Sequence, residues 1–241
     1  MISEKMKVEI WSDIMCPFCY IGKRHYEKAL SQFAFAKHIE LEWHSYQLDP
    51  SIPKQTEKIN VYEYLAQRKG ISKQQSEAMH KNVISMAQEA GLTYNFDIAV
   101  VANSFDAHRV IQLAKKHNLG DEAEERFFKA YFSEGADVSD AATLIKLGKE
   151  IGLNEEEVSK VVNSDAYSTE VKNDIAMAQQ ISVQGVPFFV FNRKYGVSGA
   201  QPDSAFLDVL NKSFSEWKTQ NKISDLEITE GKVCTPEKDC E

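Results

Sequence analysis

Two cysteines stand two residues apart near the start of the chain, in "WSDIMCPFCYIGK". A cysteine thiolate is a nucleophile, and a pair at this spacing can close on itself as a disulfide or supply half of a tetrahedral metal site. The same pair could also be buried structural thiols. What separates these readings is the element that carries them. The run "KVEIWS", Lys7–Ser12, alternates apolar and polar residues and predicts a strand. Past Cys19, Tyr26, Ala29, Leu30 and Phe33 recur at helical spacing. That predicts a helix over Pro17–Phe35, with Pro17 in the first turn, where a missing N–H costs little. Cys16 then falls at a helix N-terminus, where unpaired backbone N–H groups and the macrodipole favour a thiolate. Cys16 is the expected nucleophile, and Cys19 is placed to attack the Cys16 sulfur and resolve a mixed disulfide. A zinc site would need two further ligands at suitable spacing, so no metal is expected at the pair.

The rest of the chain bounds the setting. Its 241 residues are 43% hydrophobic, enough for a globular core and too apolar for a disordered chain. A formal net charge of −8 argues against a dedicated nucleic-acid binder. No apolar run approaches membrane-spanning length, and "MISEKMKVEIW" lacks the apolar segment of a secretory leader. The expected location is therefore cytoplasmic, with no membrane partner. In that compartment a thiol pair is more often catalytic or metal-binding than structural.

The order of elements follows from periodicity and punctuation. "IELEWHSYQL", Ile39–Leu48, predicts a second strand, and "DPSIPK" breaks it with two prolines. Helices are then predicted over Asn60–Lys69, Lys73–Ala90, Asn103–His117, Asp121–Phe132, Asp140–Ile151, Glu155–Val162 and Ala166–Ile181. Asn103 is a plausible N-cap, and Gly91, Gly120 and Gly152 fall where helices should stop. "VPFFVFN", Val186–Asn192, and "YGVSG", Tyr195–Gly199, predict a hairpin turning at Arg193–Lys194. A last helix is predicted with Pro202 in its first turn, burying Phe206, Val209, Leu210, Phe214 and Trp217. The polar tail from Lys222 carries Cys234 and Cys240. The fold class is α/β, in three parts. Residues 1–48 and 183–221 form the sheet domain, 49–182 an inserted helical domain, and 222–241 the tail.

Four stretches, in this order, resemble the thioredoxin superfamily, its DsbA-like proteins, and among them the FrnE-like branch. They are "DIMCPFCYIGK", "NSFDAHRVIQLAKKHN", "FFKAYFSEGADVSD" and "GVPFFVFNRKYGVSGAQP". The resemblance covers nearly the whole chain before the tail. It implies a thioredoxin fold with a large all-helical domain inserted after the second strand. It implies a thiol–disulfide oxidoreductase acting on protein thiols and disulfides, with no metal or organic cofactor. It also implies that Val186–Pro187 is a cis-proline peptide facing the dithiol, where the Val186 backbone could pair with an extended substrate. Relatives with the same inserted fold include glutathione-dependent transferases and isomerases of aromatic carboxylates, usually with serine where Cys16 stands. Glutathione is thus an alternative partner, and a redox-gated holdase is a third reading. None of this sets the oligomeric state.

Weaker signals stand beside these. Cys234 and Cys240 could exchange electrons with the first pair, or form a local staple. His25, two turns past Cys16, reads more simply as a surface residue. His108 and Arg109 could line the cleft, though structural helix roles weigh more. Asp13 could tune the thiols, but a turn-forming aspartate is the simpler reading. Phe188, Phe189 and Phe191 read as core strand residues, and "DEAEER", Asp121–Arg126, as a solvated helix face.

Overall fold

A computed structural model describes residues 5–54 and 57–221; Cys234 and Cys240 lie outside them. Strand β1 (Met6–Ser12) is central in a four-stranded sheet of order β2-β1-β3-β4. It runs parallel to β2 (Ile39–Ser45) and antiparallel to β3 (Phe188–Phe191), which pairs with β4 (Tyr195–Ser198). Parallel neighbours need a crossover, and α1 (Pro17–Gln32) with a single 3₁₀ turn at Ala36–His38 supplies it. The alternation in β1 sends Val8 and Ile10 to one face, opposite Phe191 and Phe189 in register. On that face α1 contributes Tyr26, Ala29 and Phe33, and α9 (Asp203–Asn221) contributes Phe206, Leu210, Phe214 and Trp217. Val209 packs against this core only partly buried. Burying one such side chain is worth about 1.5–3 kcal/mol.

The helical block lies between β2 and β3 in the chain. It comprises α2 (Val61–Lys69), α3 (Lys73–Glu89), α4 (Phe105–Lys116), α5 (Gly120–Phe132), α6 (Ala141–Glu150), α7 (Glu155–Val162) and α8 (Ser168–Gln180). Short polar residues cap the starts of α2, α3, α6 and α7. Asn60, Asp140 and Asn154 accept N–H groups of the first turn, and Ser72 with Gln75 forms a capping box. Each cap is worth about 1 kcal/mol. Helix α8 covers the sheet face opposite α1: Trp11 packs with Ala178 and Val183 and donates its indole N–H to the Asp174 carbonyl at 3.0 Å. No helix among the described residues is long and apolar enough to cross a membrane.

Several boundaries differ from expectation, each for a local reason. β2 ends at Ser45, because β1 ends at Ser12 and the chain turns so that Leu48 N–H reaches Asp13. α1 stops at Gln32, with Phe33 already extended at its C-cap. Gly120 opens α5 and does not end α4. Asn103 stands one place before the N-cap, yet its Oδ1 accepts the Phe105 N–H at 2.9 Å and does a cap's work. α8 begins at Ser168, because Tyr167 takes a left-handed conformation at φ 62°. β3 begins at Phe188, after Pro187. The positive-φ turn residues of the hairpin are Asn192 and Arg193 (φ 50° and 51°), a pairing typical of tight hairpins.

Candidate active site

Strand β1 ends at Ser12, and a turn delivers Cys16 to the N-cap of α1 with Pro17 behind it. Asp13 builds that turn. Its carbonyl accepts the Cys16 N–H at 2.9 Å, its Oδ1 the Met15 N–H at 3.2 Å and its Oδ2 the Leu48 N–H at 2.7 Å. The Cys19 N–H returns to the Cys16 carbonyl at 3.0 Å, so the two cysteines share one turn; both are free thiols. From the far side comes the connection into β3. The Val186–Pro187 bond is cis, and the Cys16 thiol donates to the Val186 carbonyl at 3.4 Å. Gly22 permits the close approach of α1 to this loop: a Cβ there would stand 3.0 Å from the Pro187 ring.

The two thiols meet different surroundings. Cys16 lines a cavity of about 480 Å³ with Met15, Phe18, Leu48, Met79 and Val186. Phe18, Leu48 and Met79 are among the exposed large apolar residues of the chain, so this mouth is greasy. Tyr64 and Arg68, both bonded to Asp49, stand at its polar end. Cys19 is 1% exposed. Burial, then the neighbouring Cys16, pushes its thiol pKa well up; the Asp13 backbone and the Ser12 hydroxyl pull the other way.

Beneath Cys19 lies a polar pocket absent from the sequence reading as a unit. The Ser12 hydroxyl, which neighbours Cys19, donates to Glu124 Oε2 at 3.4 Å. Glu124 is 1% exposed, and burial raises its carboxyl to about 7 against the pull of His108. His108 is fully buried, with Nε2 3.4 Å from Asp13 Oδ1. Burial lowers the imidazole, but Asp13, joined by Glu124 and Asp174, raises it and the pKa ends above 6.5. The expectation of a solvated face at Asp121–Arg126 therefore fails. Asp121 accepts from Trp43 Nε1 at 3.1 Å, Glu125 from the Tyr20 hydroxyl at 2.5 Å and from Arg24, and buried Lys23 reaches Asp121 and Glu125 at 3.3 Å. A clue existed: acids at Asp121, Glu124 and Glu125 share one helix face, opposite the complementary Tyr20, Lys23 and Arg24 of α1.

Other candidates fall elsewhere. His25 Nδ1 meets the Gln201 carbonyl at 2.8 Å, away from the sulfurs. Arg109 is buried and donates to the carbonyls of Val161, Ser164 and Ala166 and to Asp106, tying α4 to the α7–α8 connection. Phe189 and Phe191 are core residues, while Phe188 lies half-buried beside Trp11.

A thioredoxin-type sheet interrupted by helices, with a CxxC pair opening the first helix, defines a DsbA-like fold. The profile of the DSBA-like thioredoxin domain matches residues 7–211, and the chain belongs to that family. In structure it is similar to the "probable DsbA oxidoreductase SCO1869" of Streptomyces coelicolor, at 35% identity and TM-score 0.84, over 98% of both chains. In sequence it is similar to YwbO of Bacillus subtilis (strain 168), described as uncharacterized, at 26% identity over 87% of this chain and 96% of the relative. The fold is shared by the cytosolic disulfide reductase DsbM of Pseudomonas aeruginosa, at 16% identity and TM-score 0.59, over 90% of this chain and 100% of that one.

Proposed function

We propose that this protein is a thiol–disulfide oxidoreductase in which Cys16 is the attacking thiol, Cys19 the resolving thiol, and the Val186–Pro187 backbone the platform for substrate. The observation that carries this is the asymmetry of the pair. Cys16 sits at a helix N-cap facing an apolar cavity, while Cys19 is sealed beneath it with its proton held. As a reductase, the Cys16 thiolate attacks one sulfur of a substrate disulfide, which breaks the S–S bond and releases a substrate thiolate. Cys19 then loses its proton and attacks the Cys16 sulfur. The mixed disulfide breaks, the second substrate thiolate leaves, and the chain holds a Cys16–Cys19 disulfide. Two electrons pass from dithiol to substrate; the reverse sequence oxidises a substrate dithiol.

The raised pKa of Cys19 makes the second step depend on a base. The Ser12 hydroxyl takes the Cys19 proton as it passes its own to Glu124, which is poised near 7 and is the final acceptor. The apolar mouth formed by Phe18, Leu48, Met79 and Val186 suits a polypeptide with apolar side chains flanking its cysteine. The experiment is insulin-disulfide reduction with wild type, Cys16→Ser and Cys19→Ser. Loss of turnover in both variants is expected, with a covalent Cys16–substrate adduct accumulating only in Cys19→Ser. Turnover that survives Cys16→Ser, or an adduct on Cys19, overturns the assignment.

A further inference from the structure

A second cluster lies on the sheet face turned towards α8. Glu9 of β1 and Glu42 of β2 are register partners, and His44 follows two residues on, on the same side. One ligand atom from each lies within 4.8 Å of the others. His44 is 4% exposed. Its Nδ1 lies 2.7 Å from Asp174 Oδ1, and the other Asp174 oxygen accepts from Ser45 N–H at 2.9 Å and Gln112 Nε2 at 2.6 Å. The Trp11 ring stacks on the imidazole at 4.5 Å and fixes its plane. With Nδ1–H donated to the Asp174 carboxylate, the neutral ring would present its lone pair at Nε2. That atom is buried and hydrogen-bonds nothing. It lies 3.4 Å from Glu9 Oε1 and 3.9 Å from Glu42 Oε1.

We propose that Glu9, Glu42 and His44 form a binding site for a divalent transition-metal ion, with zinc the best match to one imidazole and two carboxylates. A carboxylate on the far nitrogen of a ligating histidine is the usual outer support of such sites; it orients the ring and raises its basicity. Zinc with bonds of about 2.0–2.2 Å spans ligands roughly 3.4 Å apart. His44 and Glu9 already stand at that separation, and half-buried Glu42 has about 0.5 Å to close on His44 and up to about 1.4 Å on Glu9. The fourth position is left to solvent. Two cations now face these acids: Arg193 donates to both oxygens of Glu9, at 2.8 and 3.1 Å, and Lys7 holds Glu42 Oε2 at 2.9 Å, leaving Oε1 towards His44. The Arg193 side chain is 68% exposed and that of Lys7 44%, so both can turn to solvent as the ion enters. Lys115, 4.0 Å from Asp174 Oδ2, balances the supporting carboxylate and stays clear of the ligand atoms. A bound ion would pin β1 to β2 three residues before Ser12.

The test uses the full chain, stripped with chelator and fully oxidised, so that a thiol assay shows no free cysteine to bind metal. Calorimetric titration with zinc chloride alone is expected to show one ion per chain. Cobalt(II) should give ligand-field bands without a thiolate charge-transfer band. Glu42→Gln, at a partly exposed position whose loss leaves the core intact, and His44→Asn should each weaken affinity by at least about tenfold, and Asp174→Asn by about 10–100-fold. Absence of saturable binding overturns the proposal and leaves His44 as an imidazolium between Asp174 and Glu9. Binding undiminished in Glu42→Gln, or a cobalt–sulfur band, places the ion elsewhere and overturns it equally. Because the protein is oxidised throughout, the outcome is independent of the thiol chemistry proposed above.

Discussion

Glu124 makes stability depend on pH in a way a single substitution should erase. The ordinary glutamate value is 4.5, and burial raises this carboxyl to about 7. The difference is about 2.5 units, or about 3 kcal/mol at roughly 1.4 kcal/mol per unit, with no discount for solvent because the side chain is sealed. Below about pH 4.5 the acid is neutral in both folded and unfolded chains, and its full contribution is present. Between about 4.5 and 7 the unfolded chain ionises while the folded chain keeps its proton, so stability falls as pH rises. Above about 7 both forms are ionised and the loss is complete. Glu124→Gln cannot ionise. Equilibrium urea unfolding at pH 4.5, 6 and 8, followed by tryptophan fluorescence, should therefore show the variant gaining on wild type by about 3 kcal/mol across that span. His108, whose pKa is raised first by Asp13 and to a lesser degree by Glu124, titrates in both proteins. A difference that stays flat with pH would mean that Glu124 ionises like a surface acid, and the proton route from Cys19 would go with it. The same variant should slow resolution of the mixed disulfide while leaving its formation intact.

Gly22→Ala should lower stability by about 1 kcal/mol, because crowding the Pro187 ring at 3.0 Å outweighs the gain of up to about 1 kcal/mol in helix propensity; a raised melting temperature would reverse that balance. Arg109→Lys keeps the charge but cannot reach the carbonyls of Val161, Ser164 and Ala166 together, and should lower the urea midpoint by the equivalent of about 3 kcal/mol. A loss under about 1 kcal/mol would show those carbonyls satisfied some other way. Asp13→Asn removes the charge that holds the His108 proton, so an NMR titration should find the imidazole moved from above 6.5 to below it, with burial left as the dominant influence. An unmoved titration would transfer credit for the shift to Glu124 and Asp174.

What could be read in advance tracks how local its cause is. The strand at Met6–Ser12, the helix from Pro17 and most of the helical block are written in periodicity, caps and αL glycines such as Gly91 and Gly152, all decided within a few residues. Cys16 at a helix start was legible for the same reason. The meeting of Val186 with Cys16 was not; 170 residues separate them, and that expectation came from resemblance to a family. Glu124 was misread because "DEAEER" looks like any solvated face until α5 is docked on α1. His44 was invisible because an imidazole within a strand pattern carries no sign that an aspartate 130 residues away will take its Nδ1 proton.

Helix α5 couples the inserted block to the dithiol. Asp121, Glu124 and Glu125 lie at i, i+3 and i+4, on one face. The outer two are fixed by α1 and β2, through Trp43, Tyr20, Lys23 and Arg24, and the third is thereby pressed under Cys19 against Ser12. Cys19 rides on α1 and Ser12 ends β1, so the gap between thiol and acid is set by how α5 sits on both. Replacing the exposed half of this contact would shift the helix without touching the reacting atoms. A rotation that carries Glu124 towards solvent would lower its pKa and break the path through Ser12 at once, because burial is the leading cause of the raised value. The helical block thus brings more than a cavity wall to the candidate site: it holds the acid proposed to take the second thiol's proton.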